Sequence, residues 1–466
     1  MRASKIALLL LILGAGAVLE TAWGARGGFS IGPEGCRILT GKFHGPSHAF
    51  ESEQVREGLA EPVTLEVDNA FGSVRVVAGE LGRARAHVRK VVFLPSEAKA
   101  RAFAERVEVV LGLEGTTLRV RTNRRELERD AETARIGVET HLELIVPPGT
   151  AVRVRNEHGR VEVQDAREAF VTSSYDPVRV ERVAGPVEIE SRHGDVRVAD
   201  VGGPLKLSSR HGDVEVHTVA GEASIDVQYG DVTVARAASL VANARHGDIS
   251  AEDVGGTLDV DAQHSRVTAN RVAGVIRIAT SYRDVRLSGA RADAHVEARH
   301  GSVDAEDVAG GLTVRASSGE VTARRVGGLF EVTLDRGGVR GEDLRKGALV
   351  QGSGEDVTLV GFGGPVEVRS RRGDIELRAA APLVAPVTAS TSSGQIRLEL
   401  APGGGFELDA HAPRGAVEVE LPDFTVAESG LHRVTGRRAS GGVRVVLTAE
   451  RGSVRVGAPA TPEREP

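Results

Sequence analysis

The sequence predicts an all-β fold: a parallel β-solenoid, β-helix-like, with two-strand coils of about 18 residues and one short N-terminal helix. Three observations carry this expectation. Within residues 191–216, His193-Gly194-Asp195 returns as His211-Gly212-Asp213, and Val196 and Val198 return as Val214 and Val216, 18 residues on. The first apolar residue after each Gly-containing turn can be followed through Val161, Val178, Val196, Val214, Val232, Ile249, Val267, Val285, Val303, Val321, Val339, Val357, Ile375, Ile396 and Val417. These 15 anchors are spaced by 18 residues in ten of fourteen steps, by 17 in two and by 21 in two. Finally, 57 Gly, 3% aromatic residues and single Trp, Met and Cys residues leave few large side chains for a bulky core. A thin core of Val, Leu, Ile and Ala suits a solenoid instead.

Within one coil the anchor and the residue two after it are apolar (Val196, Val198), a third apolar residue follows at five (Val201), and a Gly bend comes near seven (Gly203). A second strand then turns Leu205 and Leu207 inward with Lys206 outside, the in-and-out alternation of a β-strand. Stacked at about 4.8 Å per coil, 15 such coils make a rod of roughly 70 Å. The triangular hexapeptide helix needs an apolar residue every six positions, and the offsets here do not give one. The calcium-binding nonapeptide repeat needs Gly-Gly-x-Gly-x-Asp on each turn, and residues 209–214 offer one Gly and one Asp.

The elements follow in order. Arg2 and Lys5 precede an apolar run over residues 6–19, and Ala22 and Gly24 supply the small residues of a cleavage site, so residues 1–24 are expected to be a signal peptide. The run is short for a membrane span and no second one follows, so the mature chain is expected to have no transmembrane segment. Residues 25–61 are Gly-rich, polar and aperiodic, and are expected to be a flexible lead-in. Cys36, the lone thiol, excludes an internal disulfide framework and lacks a lipobox before it. Residues 62–150 form a β-rich N-terminal portion. Val63, Leu65 and Val67 alternate with polar residues, then Asn69-Ala70-Phe71-Gly72-Ser73 turns the chain into Val74-Arg75-Val76, which already has the repeat's layout. Over residues 96–107 the period becomes helical, with Ser96 at the N-cap and Ala100, Phe103 and Val107 on one face. The charged stretch 122–135 reads as an exposed excursion or a second short helix. Residues 151–457 hold the regular repeats, with a 37-residue gap after Val417 before the last repeat-like strand, and 458–466 is a Pro-rich tail expected to be disordered.

Basic and acidic residues number 59 and 65, for a net charge of -6, and alternate along the strands rather than forming blocks. Nothing in that balance recommends nucleic acid as a partner.

Three columns could carry chemistry. The position three before the anchor holds a ring in nine successive coils: His158, Tyr175, His193, His211, Tyr229, His246, His264, Tyr282 and His300, which takes all three Tyr and six of the 14 His. Counting parity along the strand puts these rings on its inner side, stacked at the edge of the core, a packing ladder. Metal binding by adjacent pairs such as His193 with His211, or His246 with His264, is the alternative. The position before the anchor carries Asp195, Asp213, Asp231, Asp248, Asp284, Asp356 and Asp374. Paired carboxylates on neighbouring coils suggest glycoside hydrolysis, but seven equivalent Asp residues single out no site, and Asp beside Gly is the ordinary turn residue whose carboxylate bonds nearby N–H groups. Arg192, Arg210, Arg245 and Arg299 form a broken basic stripe beside the rings.

Leu144-Ile145-Val146-Pro147-Pro148-Gly149, an alternating strand and then Gly159-Arg160-Val161-Glu162-Val163 resemble the opening of the bacterial putative-adhesin domain, also termed the toast-rack β-strand repeat, an uncharacterised family. The likeness covers residues 61–457. It implies an exported, non-catalytic repeat domain, associated by name with adhesion and in some relatives with sensing of envelope stress, and it supplies no catalytic residues to carry over. The lack of an apolar segment after the repeats departs from shorter members and speaks against a membrane-coupled sensor. The expected function is therefore a structural, adhesin-like or binding module of the cell envelope, periplasmic or at the cell surface. It would use no catalytic residue, no cofactor and no metal, and its partner would be an envelope protein or glycan. The alternative is a carbohydrate-active enzyme on a β-helical scaffold, but such enzymes place their sites under long, unequal loops, and the fourteen spacings here differ by at most four residues.

Overall fold

Alternation at period two makes each coil a pair of short strands, and the computed structural model stacks these into a parallel solenoid of about 14 turns. It describes residues 29–32, 35–38, 43, 45–127, 129–130 and 132–459. The expected signal peptide, residues 1–24, and nearly all of the expected tail lie outside the described residues.

One face of the rod is the column of anchor strands. Val161 pairs in register with Val178, Val178 with Val196, Val196 with Val214, and so on through Ile375 and Ile396. The other face is the column of second strands, in which Val187 pairs with Leu205 and Leu205 with Ala223. Both columns turn Val, Leu, Ile and Ala into one continuous core between them. Val214 is 1% exposed, whereas Glu215 faces solvent and pairs with Arg197 at 2.9 Å and His217 at 2.8 Å. Val214→Asp is therefore expected to cost several kcal/mol as a buried unpaired charge. Glu215→Lys breaks only exposed ion pairs, worth about 1 kcal/mol or less. Equal shifts in the unfolding midpoint of the two variants would refute this register.

The burial pattern of the anchor strand, inward at zero and two and again at five, has a backbone cause. The residue at four adopts a left-handed conformation: Asp165, Arg182, Asp200, Thr218, Arg236, Asp253, Arg271, Asp307, Arg325 and Asp343 have φ between 52° and 61°. Gly289 and Gly361, both at φ 69°, hold the same place in their coils. That single kink advances the alternation by one residue, so Val201 points inward where strict alternation would turn it out.

Both ends depart from sequence order. At the C-terminal end Val454 pairs with Ile396 on one side and Val417 on the other. Likewise Val445 lies between Val387 and Leu408. The coil of residues 443–457 thus sits between the coils of 387–400 and 406–420, rather than beyond the last anchor as the chain order suggests. At the N-terminal end the coil of residues 64–78 lies between the first regular coil and an outer one formed by Thr117–Thr122 and Gly137–Val146.

Antiparallel strands close both ends. His48–Glu57, inside the stretch expected to be a flexible lead-in, pairs along its length with Arg83–Phe93. Most of its side chains are exposed, so it is ordered by backbone pairing and left no apolar signal in the sequence. Phe29–Gly32 and Gly35–Ile38, the latter containing Cys36, also pair as a short hairpin. The Gln54 amide then imitates a strand: its Nε2 donates to the Val109 carbonyl at 2.7 Å and its Oε1 accepts from the Leu111 N–H at 3.2 Å. This joins the two faces across the end of the core. The expected helix forms over Glu97–Arg106 and buries Ala100, Phe103 and Ala104 in a small separate cluster with Val92, Val107, Leu127 and Val138. A second, four-residue helix follows at Arg124–Leu127. At the other end Phe424–Gly430 and Arg433–Arg438 form an antiparallel hairpin against Phe406–His411.

Candidate functional site

Each second strand has its last inward position two residues before its ring, and that position is often a small polar residue: Asn156, Ser173, Ser191 and Ser209 are all at least 95% buried. Their side chains reach into the turn that follows; Ser173 Oγ, for example, donates to the Asp176 carbonyl at 3.2 Å. Three residues further on, Gly159, Gly194, Gly212, Gly230 and Gly247 bend the chain at φ between 107° and 137°. The ring lies between that buried polar group and that bend.

Parity counting put the rings on the inner side, and the structure corrects this. The ring is the last residue of its strand or lies just past it, directly before the turn, so the side chain swings to the outside of the corner. Tyr175, Tyr229 and Tyr282 are 48–54% exposed, His193, His246, His264 and His300 are exposed, and His158 and His211 are half-buried. All nine stand in a single column, with neighbouring centroids 4.4–5.5 Å apart and interplanar angles of 2–12° until the last pair, Tyr282 and His300, at 27°. Phe71 begins the column, stacked on His158 at 4.6 Å. The sequence signal for it was present in Phe71-Gly72, which repeats the ring-glycine step. At the far end His300 Nδ1 meets Ser318 Oγ at 2.8 Å and the rings stop.

The stack limits what these His residues can coordinate. An imidazole lone pair lies in its ring plane, so the lone pairs of His193 and His211, whose planes differ by 2° at 4.9 Å, run side by side instead of converging on one ion. Among the described residues no group of three or more His, Cys, Asp or Glu is gathered to hold a metal. His211→Phe, which keeps a ring and removes both nitrogens, is expected to leave the melting temperature within about 2 °C of the parent, because a ring of similar breadth preserves the stacking at this half-buried position and leaves about 0.5 kcal/mol or less to lose. EDTA is expected to leave it unchanged. A chelator-sensitive melt restored by Zn²⁺ would overturn the stacking account.

The Asp column is spent on the backbone. Asp195 accepts from the Asp213 N–H at 3.1 Å, Asp213 from that of Asp231 at 2.9 Å, Asp231 from that of Asp248 at 2.8 Å, and Asp248 from that of Arg266 at 3.0 Å. Asp284, Asp356 and Asp374 do the same in their own coils. Each carboxylate thus staples one coil to the next, and no two are set apart for acid–base work. Arg192, Arg210, Arg245 and Arg299 remain exposed beside the rings and form no ion pair among the described residues.

A second charged column, at the left-handed position, went unread in the sequence. Arg182 forks onto Asp165 at 2.7 and 2.9 Å, Arg271 onto Asp253 at 2.6 and 3.0 Å, and Arg325 onto Asp307 at 2.6 and 3.0 Å; Arg271 and Arg325 also contact Glu252 and Glu306. The hydrogen bonds from these guanidinium groups hold Asp165, Asp253 and Asp307 below the ordinary carboxylate range. The only available signal was the recurrence of Asp or Arg four residues after the anchor.

The family model described as Toastrack DUF4097 matches the chain twice, over residues 97–268 and 236–457, which together span more than half of it. No curated protein matches. Among solved structures, a "putative cell adhesion protein" from Clostridium sporogenes aligns over 88% of this chain and 100% of its own, at 7% identity and a TM-score of 0.15.

Proposed function

The chain belongs to the Toastrack DUF4097 family, and from that premise we propose that it is an exported, non-enzymatic module of the bacterial cell envelope, structural or adhesin-like, that binds a partner along its ring-bearing edge. The observation that supports this most is the edge itself: nine stacked His and Tyr rings with their rims in solvent, flanked by exposed Arg residues. Exposed aromatic groups in continuous array favour recognition. The Asp residues before the anchors and the left-handed Arg182, Arg271 and Arg325 are, by contrast, engaged within the rod, as coil-to-coil staples or as Arg–Asp forks. Coils of near-constant length also leave no long loop under which an active site would lie.

A pull-down from the envelope fraction tests the reading, using the wild type and a variant carrying His193→Ala, His211→Ala, Tyr229→Ala and His246→Ala. The variant is expected to lose the captured component, and capture of the same set by both would refute a binding edge. Export is tested by intact mass: a mature form beginning near Ala25 is expected, and an exported protein still carrying Met1 would remove that part of the proposal.

A further inference from the structure

We infer that the ring edge from His193 to His246 is a docking track for one uncharged, extended polysaccharide chain, with one pyranose ring per coil. The inference deepens the binding-edge reading above and rests on it.

Three features lead there. The first is spacing: along this stretch the rings are 4.9, 4.9 and 5.0 Å apart, close to the advance of an extended, equatorially linked pyranose chain per sugar. A linear glycan laid along the rod therefore stays in register with the column, and each added sugar meets the same group again. The second is orientation. The faces of the rings are occupied by one another, so a sugar cannot stack on them as it would on an isolated aromatic platform. What the column offers instead is a comb of ring rims, imidazole nitrogens and the Tyr229 hydroxyl, which donate and accept hydrogen bonds as sugar hydroxyls do.

The third feature is charge. Each coil of the stretch presents the same set around its ring: Arg192 and Asp195, Arg210 and Asp213, Gln228 and Asp231, Arg245 and Asp248. A polyanion would meet an Asp in every coil and a polycation an Arg in nearly every coil, whereas a neutral polyol finds a donor on one flank and an acceptor on the other. The Asp residues keep this role while stapling the backbone, since each uses Oδ1 for that bond; at Asp248 alone Oδ2 also lies near a cation, Arg266 Nη1 at 3.7 Å. The Arg residues are not drawn off into ion pairs among the described residues, unlike Arg182, Arg271 and Arg325.

Calorimetric titration of the whole protein with the neutral, N-acetylated series chitobiose, chitotetraose and chitohexaose tests this. Affinity is expected to rise several-fold from chitobiose to chitotetraose, because each further sugar adds contacts to an already tethered chain, and to change little from chitotetraose to chitohexaose, which outruns the four coils. It is expected to fall about tenfold or more in the His193→Ala, His211→Ala, Tyr229→Ala, His246→Ala variant. Should that variant lose its fold by circular dichroism, Arg192→Gln, Arg210→Gln, Arg245→Gln changes only exposed groups and takes its place, with the same loss expected. Laminarihexaose, whose linkage curls the chain out of register, is expected to bind more weakly than chitohexaose. Chitohexaose binding no tighter than chitobiose, binding unchanged in the variants, or tighter binding of polygalacturonate than of the neutral series would each overturn the track. If no glycan binds but the ring variant still loses its envelope partner, the track is overturned and the binding edge stands. If neither is seen, both fall.

Discussion

Gly230→Ala is expected to lower the stability of the array more than any surface substitution, by roughly 2–6 kcal/mol. Gly230 sits at φ 134°, a region that side-chain-bearing residues avoid, and forcing one there costs about 1–3 kcal/mol. A Cβ at this position would also lie 2.2 Å from the carbonyl oxygen of Gly212, the equivalent residue one coil below, and relieving such a clash costs about 1–3 kcal/mol more. The neighbour cannot move aside, because Gly212 is itself stacked against Gly194 and a Cβ on Gly247 would in turn meet Gly230. Gly255 is the control: its φ is ordinary and its nearest neighbour would be 3.7 Å from an added Cβ. Gly255→Ala is expected to shift stability by no more than about 0.5 kcal/mol. Urea unfolding of the two variants decides; similar midpoints would mean that the Gly column is not what sets the corner.

Deleting residues 441–466 is expected to remove two coils, not one. The segment supplies Val445, Leu447, Val454 and Val456, all fully buried, each of which stabilises by about 1.5–3 kcal/mol through its burial. It also stands between the two coils it touches, so without it Val417–Glu420 loses its parallel neighbour and Phe406–His411 keeps only the hairpin strand Arg433–Arg438. Hydrogen exchange should show amides 406–438 losing protection together. Deleting 458–466 alone should leave them protected. If amides 417–420 stayed as protected in the longer deletion as in the full chain, the interleaved order would be wrong.

Much of this architecture could be read from the chain because a solenoid writes its register locally. Val196, Val214 and Val232 are neighbours in space for the same reason that they recur at a fixed interval: each coil repeats one path around one core. Three things could not be read that way. The interval says which residues are equivalent but not the order in which coils stack, so Val454 could not be placed between Ile396 and Val417. The left-handed kink at positions such as Arg182 and Arg271 has no compositional marker, since Arg is an unusual occupant of that conformation and Asp a common one. The side of the rings was misjudged because parity fails where a strand runs into its turn, and His193 and His211 are the last strand residues before the Gly bend. The ring column itself was legible as a set, and Phe71 was missed because the long insertion after Ala78 hides its place one coil before His158.

The closed ends set a limit on growth. A parallel sheet cut across its strands exposes donors and acceptors that a second molecule could continue, and a rod with two such ends would polymerise into a fibre. Here the Gln54 amide occupies the backbone groups of Val109 and Leu111 at one end, and an antiparallel hairpin turns back against Phe406–His411 at the other. On one face at each end an antiparallel strand, Arg83–Phe93 or Arg433–Arg438, takes the edge that a further parallel coil would need. The distance between the two caps is then fixed by the number of coils between them, about 4.8 Å for each. Such a rod acts as a ruler, whose reach can be lengthened or shortened one coil at a time without redesigning either end.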